Sequence, residues 1–353
     1  MILLNDDNRH RDFTGVTRFH NAGYFGERVN AASGETWDIN RYNPDNLVRN
    51  CLKDKQFSDE HPINTAATFF QVAPKAHLFM LYSIDGSYGS GDNYNSKFFN
   101  ESVEIIEKYN ITNMFTSLNC SRHTKFFEDL KNWYIKHPSF KPFWCAGNDS
   151  SKKYNPIMEI EEVIGVAAYT LMVDGTVNPA YYSSISNYVD FSAPSMIYLN
   201  PQATKPDAAT YSNSGTSFST PWLCGMSCLV DDFFIDKKGL PLTREGMIQF
   251  FKDNCKDIGD KGIDPKTGFG AVILPEPNSI DIDKYYNIGR TNMSTLDKFK
   301  DKNDISNWAK ASVEWAVNTG ILQGDDKGYL LPKAYLTREQ MAVMLERFKN
   351  TIK

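Results

Sequence analysis

The sequence predicts an α/β fold, a parallel sheet with helices on both faces, followed by a small α-helical C-terminal module. Three observations predict it. Short apolar runs of strand length alternate with amphipathic segments of helical period between residues 76 and 168. The composition changes at Leu274-Pro275-Glu276-Pro277-Asn278-Ser279, a proline-rich linker candidate, and helical patterning follows it. Hydrophobic residues make up 41% and charged residues 23% of the 353, enough apolar material to bury a core.

Taken in order, residues 76–81 (Ala-His-Leu-Phe-Met-Leu) read as a buried strand. Residues 98–109 form an amphipathic helix carrying Phe98, Phe99, Val103, Ile105, Ile106 and Tyr109 on its apolar side. Strand 111–118, helix 125–136, and strands 143–146 and 163–168 complete the alternation. Such an order implies right-handed crossovers and a parallel sheet buried on both faces. Thr243 precedes Arg244-Glu245 as the N-cap of a further helix. From Asp297 the pattern gives a helix at 308–319, a Gly/Asp turn, and a helix at 337–348. The expected units are a main domain at 1–278, a linker at 279–296 and a module at 297–353.

Charge and cysteine usage narrow the function. Thirty-eight basic against 43 acidic residues give a net charge of −5, the opposite of a nucleic-acid binder. No apolar run is long enough to span a membrane, and Met1-Ile2-Leu3-Leu4 followed by Asn5-Asp6-Asp7 is no secretory signal. The expected location is therefore cytoplasmic, or outside after lysis. None of the six cysteines has CxxC spacing, and Cys224 and Cys228 read as small core residues of a reduced protein. No metal or cofactor pattern stands out, and scattered carboxylates lack calcium-ligand spacing.

One string carries chemistry. Gly215-Thr216-Ser217-Phe218-Ser219-Thr220-Pro221 places a serine at the start of an apolar helix. A helix N-terminus favours the negative charge that nucleophilic attack creates. Alone, Gly-Thr-Ser is an ordinary Ser/Thr cap. The longer string resembles the nucleophile motif of subtilisin-like serine peptidases, usually Gly-Thr-Ser-Met-Ala-x-Pro. Upstream, His61-Pro62-Ile63-Asn64-Thr65-Ala66 and then Val72-Ala73-Pro74-Lys75-Ala76 resemble the family's His-Gly-Thr-His-Val-Ala helix and Val-Ala-Pro-x-Ala segment. Cys145-Ala146-Gly147-Asn148 resembles the family's Ala-Gly-Asn, and 113–119 resembles its Asn-Met-Ser-Leu-Gly strand. Val189-Asp190-Phe191-Ser192-Ala193-Pro194 and Asp264 to Gly270 also match, so the likeness covers roughly residues 12–275.

The resemblance implies Ser217 as nucleophile, His61 as general base and Asn148 as oxyanion donor. It also implies Ser117, Leu118 and Asn119 as the wall for the substrate backbone. The family's acid ends the first core strand in Asp-Ser/Thr-Gly. The segment 15–24 is taken for that strand, which puts Asn21 in the acid slot. Asp6, Asp7 and Asp38 are the alternatives, and loss of the acid altogether is the third.

The C-terminal module has its own resemblance. Phe299-Lys300-Asp301, Trp308-Ala309, Gly320-Ile321, Gly324, Pro332 and Leu336-Thr337-Arg338-Glu339 resemble one S-layer homology repeat, with Phe299 and Trp308 expected in its core. Such repeats act in threes on cell-wall polysaccharide, so a single copy implies self-association or weak binding. The expectation is a serine endopeptidase acting on protein or peptide and associated with a bacterial cell wall. The alternative is a catalytically impaired relative serving as a binding or structural part, for example of a phage or tail-like particle.

Overall fold

A computed structural model describes residues 8–51, 60–81, 96–120, 124–195, 197–199, 211–290, 296, 299–325 and 327–351. Among these, ten strands form one sheet. They are β1 (Asn30–Ser33), β2 (Val48–Asn50), β3 (His77–Met80), β4 (Asn113–Thr116), β5 (Lys141–Cys145), β6 (Ile164–Leu171), β7 (Val177–Pro179), β8 (Phe191–Pro194), β11 (Cys255–Lys256) and β12 (Ala271–Val272). The order is β11-β12-β8-β6-β5-β4-β1-β3-β2, with β7 hanging on β6. The run from β12 to β2 is parallel, whereas β7 and β11 pair antiparallel at its margins. Strands β9 (Ile197–Leu199) and β10 (Tyr211–Asn213) form a separate antiparallel pair.

Alternation along each strand feeds two cores. Ala31, Leu78, Phe115, Phe143 and Val166 enter one cluster, and their neighbours Ala32, Phe79, Met114, Trp144 and Ala167 enter the other. That two-sided burial is why the strands read as continuous apolar runs. The first face is covered by α2 (Val16–Asn21), α3 (Glu60–Val72), α6 (Thr216–Lys238) and α7 (Arg244–Asp253). The second is covered by α4 (Ser96–Lys108) and α5 (Thr124–Lys136). A short helix, α1 (Arg9–Phe13), precedes α2. Thr243 caps α7 as expected, its hydroxyl accepting from Gly246 N at 3.0 Å.

Helix α6 is buried from Thr216 to Phe234 and crosses α3 at close range. At Gly225 a Cβ would fall 2.7 Å from Val72 Cβ, so only glycine lets the two helices meet there. Beneath α6, Lys141 and Asp231 form a fully buried ion pair at 3.0 Å. Burial lowers the lysine's pKa and raises the aspartate's, although each charge partly restores the other.

Within 279–296, α8 (Ile282–Tyr286) packs Tyr285 into the main core against Phe250, with ring centroids 5.0 Å apart. Beyond it, Leu296, Phe299, Ile305 and Val317 form a small separate core under α9 (Lys310–Asn318). Helix α10 (Arg338–Thr351) closes the chain. Phe299 is buried as expected, but Trp308 is 89% exposed. Trp308 falls in the single 3₁₀ turn Asn307–Ala309 that leads into α9, outside that small core.

Candidate active site

The site gathers at the carboxyl ends of three adjacent strands, β1, β4 and β5, which is where open α/β sheets present their ligand crevice. Just past β1, Glu35 is 2% exposed, with its N–H on Ser33 Oγ at 3.2 Å. Its Oε1 lies 2.7 Å from His61 Nδ1, in the first turn of α3. A carboxylate can only accept, so this contact puts the imidazole hydrogen on Nδ1 and leaves Nε2 as the basic nitrogen. The His61 ring lies 6.0 Å from the Phe218 ring, beside the start of α6.

The carboxylate that meets His61 is thus Glu35, and the expectation that Asn21 occupies that place is corrected. Val16–Asn21 is a helix, not the first core strand, and Asn21 is exposed at its end. The first strand is Asn30–Ser33, so Ala32-Ser33-Gly34 stands where the resemblance expects Asp-Ser/Thr-Gly. Ala32 takes the aspartate's place and packs into the α4/α5 core. The carboxylate comes instead from three residues on, with one more methylene to span the gap. The sequence carried this signal in the Ser33-Gly34 pair followed directly by an acid. Asp38 is spent on Asn40 N (2.9 Å) and Asn40 Nδ2 (3.1 Å), and Asp6 and Asp7 lie outside the described residues.

Ser217 is the second residue of α6, where backbone N–H groups have no intrahelical acceptor. Pro221 sits four residues later and cannot donate to the Ser217 carbonyl. Ser117 fills that vacancy: its hydroxyl donates to Ser217 O at 2.8 Å. In return, Ser217 Oγ donates to Ser117 O at 3.3 Å. The nucleophile candidate is therefore tied directly to the segment expected to hold the substrate. Along that segment Ser117 is buried, Leu118 half-buried and Asn119 exposed.

Asn148 follows β5 and is exposed. Its Oδ1 accepts from Thr216 N at 2.9 Å and Thr216 Oγ1 at 3.0 Å. A backbone N–H can only donate, so the amide orientation is fixed and Nδ2 remains the outward donor. Nδ2 lies over Gly215, where φ is +142° and a Cβ would come within 3.3 Å of it. Thr216, which sequence reasoning did not single out, is the hinge of this arrangement, because its Oγ1 also accepts from Gly147 N at 3.2 Å.

Among the described residues, other chemistries find no such assembly. All six cysteines are free thiols, and burial pushes Cys145, next to the Asn148 turn, up to about 12. A thiol so protonated is no nucleophile. Among the described residues no group of three His, Cys, Asp or Glu side chains is placed to hold a metal ion. No helix among them is long and apolar enough to cross a membrane.

A parallel sheet bearing a serine at a helix start, a histidine held by a carboxylate and an outward asparagine amide defines a serine-peptidase class of protein. The chain belongs to the Subtilase family, whose profile matches residues 63–270, and an S-layer homology domain follows at 298–342. The subtilase match begins after both Glu35 and His61, so their pairing stands on geometry. No curated protein matches the chain. Among solved structures, a lanthipeptide protease aligns with a TM-score of 0.59 at 15% identity, covering 77% of this chain and 93% of its own. The prenylagaramide maturation protease PagA aligns at 0.58 and 14% identity, covering 76% and 97%. An S41 psychrophilic protease aligns at 0.54 and 16%, covering 71% and 92%. At these identities the likeness is one of fold.

Proposed function

We propose that the chain is an active serine endopeptidase that works through Ser217, His61 and Glu35. Ser217 Oγ leaves Ser117 O and attacks the peptide carbonyl as His61 Nε2 takes its proton. Glu35 holds the ring in the productive tautomer and offsets the imidazolium charge. Asn148 Nδ2 and the Ser217 N–H receive the developing oxyanion, and loss of such a donor costs about 10²–10³ in rate. His61 then returns the proton to the leaving amine. Water repeats the sequence on the acyl-enzyme.

The observation that carries this reading is the 2.7 Å contact between Glu35 and His61 beside the start of α6. A binding-only role rested on an uncharged residue in the acid slot, and Glu35 supplies that charge. The test is hydrolysis of an unfolded protein and of fluorogenic peptides by the full chain. Turnover should be present in the wild type and vanish in Ser217→Ala; equal turnover in the two, or none in either, contradicts the reading.

The S-layer homology domain supports cell-wall association as the peptidase's setting, with wall polysaccharide as its second partner. Trp308, exposed next to α9, offers a flat ring of the kind that stacks on sugars. The full chain should pellet with purified Gram-positive cell walls and Trp308→Ala should pellet less. Equal pelleting would remove Trp308 from that role.

A further inference from the structure

The β4–β5 ladder ends at Thr116 opposite Trp144. Among the described residues, the 117–120 run therefore leaves the sheet without a strand paired on its β5 side. A buried side chain takes that place. Asn155 is 1% exposed, and both ends of its amide are spent on this run. Nδ2 donates to Leu118 O at 3.0 Å and Oδ1 accepts from Cys120 N at 3.1 Å. Its own N–H donates to Ala146 O at 3.0 Å, which anchors it to the chain leading into Asn148. One amide thus makes the two hydrogen bonds that a neighbouring strand would have made.

We propose that Asn155 is a positioning residue for the peptide substrate, acting through the backbone of 117–120. Asn155 touches no substrate itself. By pairing with one edge of the run, it keeps the other edge, where Ser117 O faces Ser217 Oγ, free to pair with an added peptide strand. The proposal rests on the peptidase reading and on Ser117, Leu118 and Asn119 as the substrate wall. Main-chain pairing grows with the number of residues a substrate lays along the run, so the contribution of Asn155 depends on substrate length.

The experiment compares wild type with Asn155→Leu, which keeps the size and removes both hydrogen bonds, and with Asn155→Asp, which keeps the acceptor for Cys120 N alone. A series with one leaving group is used, from a single acylated residue to a tetrapeptide, alongside the rate of Ser217 labelling by a small fluorophosphonate. The expected result is labelling and single-residue turnover within about threefold of wild type in either folded variant. The tetrapeptide kcat/KM should fall roughly 10–100-fold in Asn155→Leu, as expected for two lost hydrogen bonds, and less in Asn155→Asp. An equal loss on every substrate and on labelling, or no loss on the tetrapeptide, overturns the proposal. If Asn155→Leu does not fold, the length dependence in Asn155→Asp decides. A wild type that neither labels nor hydrolyses overturns the peptidase reading and this proposal with it, whereas an active wild type with length-independent variants overturns this proposal alone.

Discussion

His61 can act as a base only if something fixes its tautomer, and that task falls to one carboxylate. Glu35→Gln keeps the shape of the contact but can donate to Nδ1, which puts the hydrogen on Nε2 and removes the charge. Turnover should fall by about 10³–10⁴, as when the same change is made in an equivalent triad. Asn21→Asp should change nothing, since Asn21 is exposed at the end of α2. Steady-state kinetics of the two variants check both expectations, and a collapse in neither or a gain in Asn21→Asp would contradict them. Ser217, His61 and Asn148 could be singled out in the sequence because each sits inside a long motif. Glu35 could not, because β1 just before it is four residues, Asn-Ala-Ala-Ser, with almost no apolar signal. Val16 and Phe19, three apart and both buried, were the helical signature that ruled out a strand at 16–21.

At the scale of elements, the two helices that carry His61 and Ser217 are set by how closely they cross. Gly225 is where α6 meets α3, and an added methyl would press on Val72 Cβ at 2.7 Å and on Phe69 O at 3.3 Å. Gly225→Ala should destabilise the fold by about 1–3 kcal/mol through overpacking. It should also cost activity, because α3 and α6 would be forced apart. Chemical denaturation and peptide turnover on the same preparation check this, and an unchanged midpoint would show that the crossing has slack. The helices and strands between 76 and 171 were legible from period and length alone, with ends displaced by a few residues. What the sequence did not disclose was the side-chain work at strand ends. Thr216 on Asn148, Ser117 on Ser217 and Asn155 on 117–120 bring together residues from 35 to 100 positions apart, and no local pattern marks such pairs.

For the molecule as a whole, one buried carboxyl makes stability depend on pH. Asp190 accepts from Gly165 N at 2.8 Å, and burial pushes it up to about 6 from an ordinary 3.8, only partly opposed by that hydrogen bond and by Lys252. The folded chain therefore holds a proton that the unfolded chain has already released between those values. The stability this provides is complete below the ordinary carboxyl pKa and is lost as pH rises through about 6. A shift of two units corresponds to roughly 3 kcal/mol. Asp190→Asn keeps an acceptor for Gly165 and should flatten that slope, raising the melting temperature at pH 7 relative to wild type by several degrees. Parallel pH profiles for the two proteins would exclude Asp190 as the cause. The two-part architecture was legible from the composition change after residue 274, although α8 lies within the expected linker and seats Tyr285 in the main core. Whether this fold assembles a working nucleophile is read from active-site labelling of the full chain with a fluorophosphonate probe. One covalent adduct is expected on Ser217, absent in Ser217→Ala and formed far more slowly in Glu35→Gln. No adduct on the wild type, or equal labelling of wild type and Ser217→Ala, would contradict it.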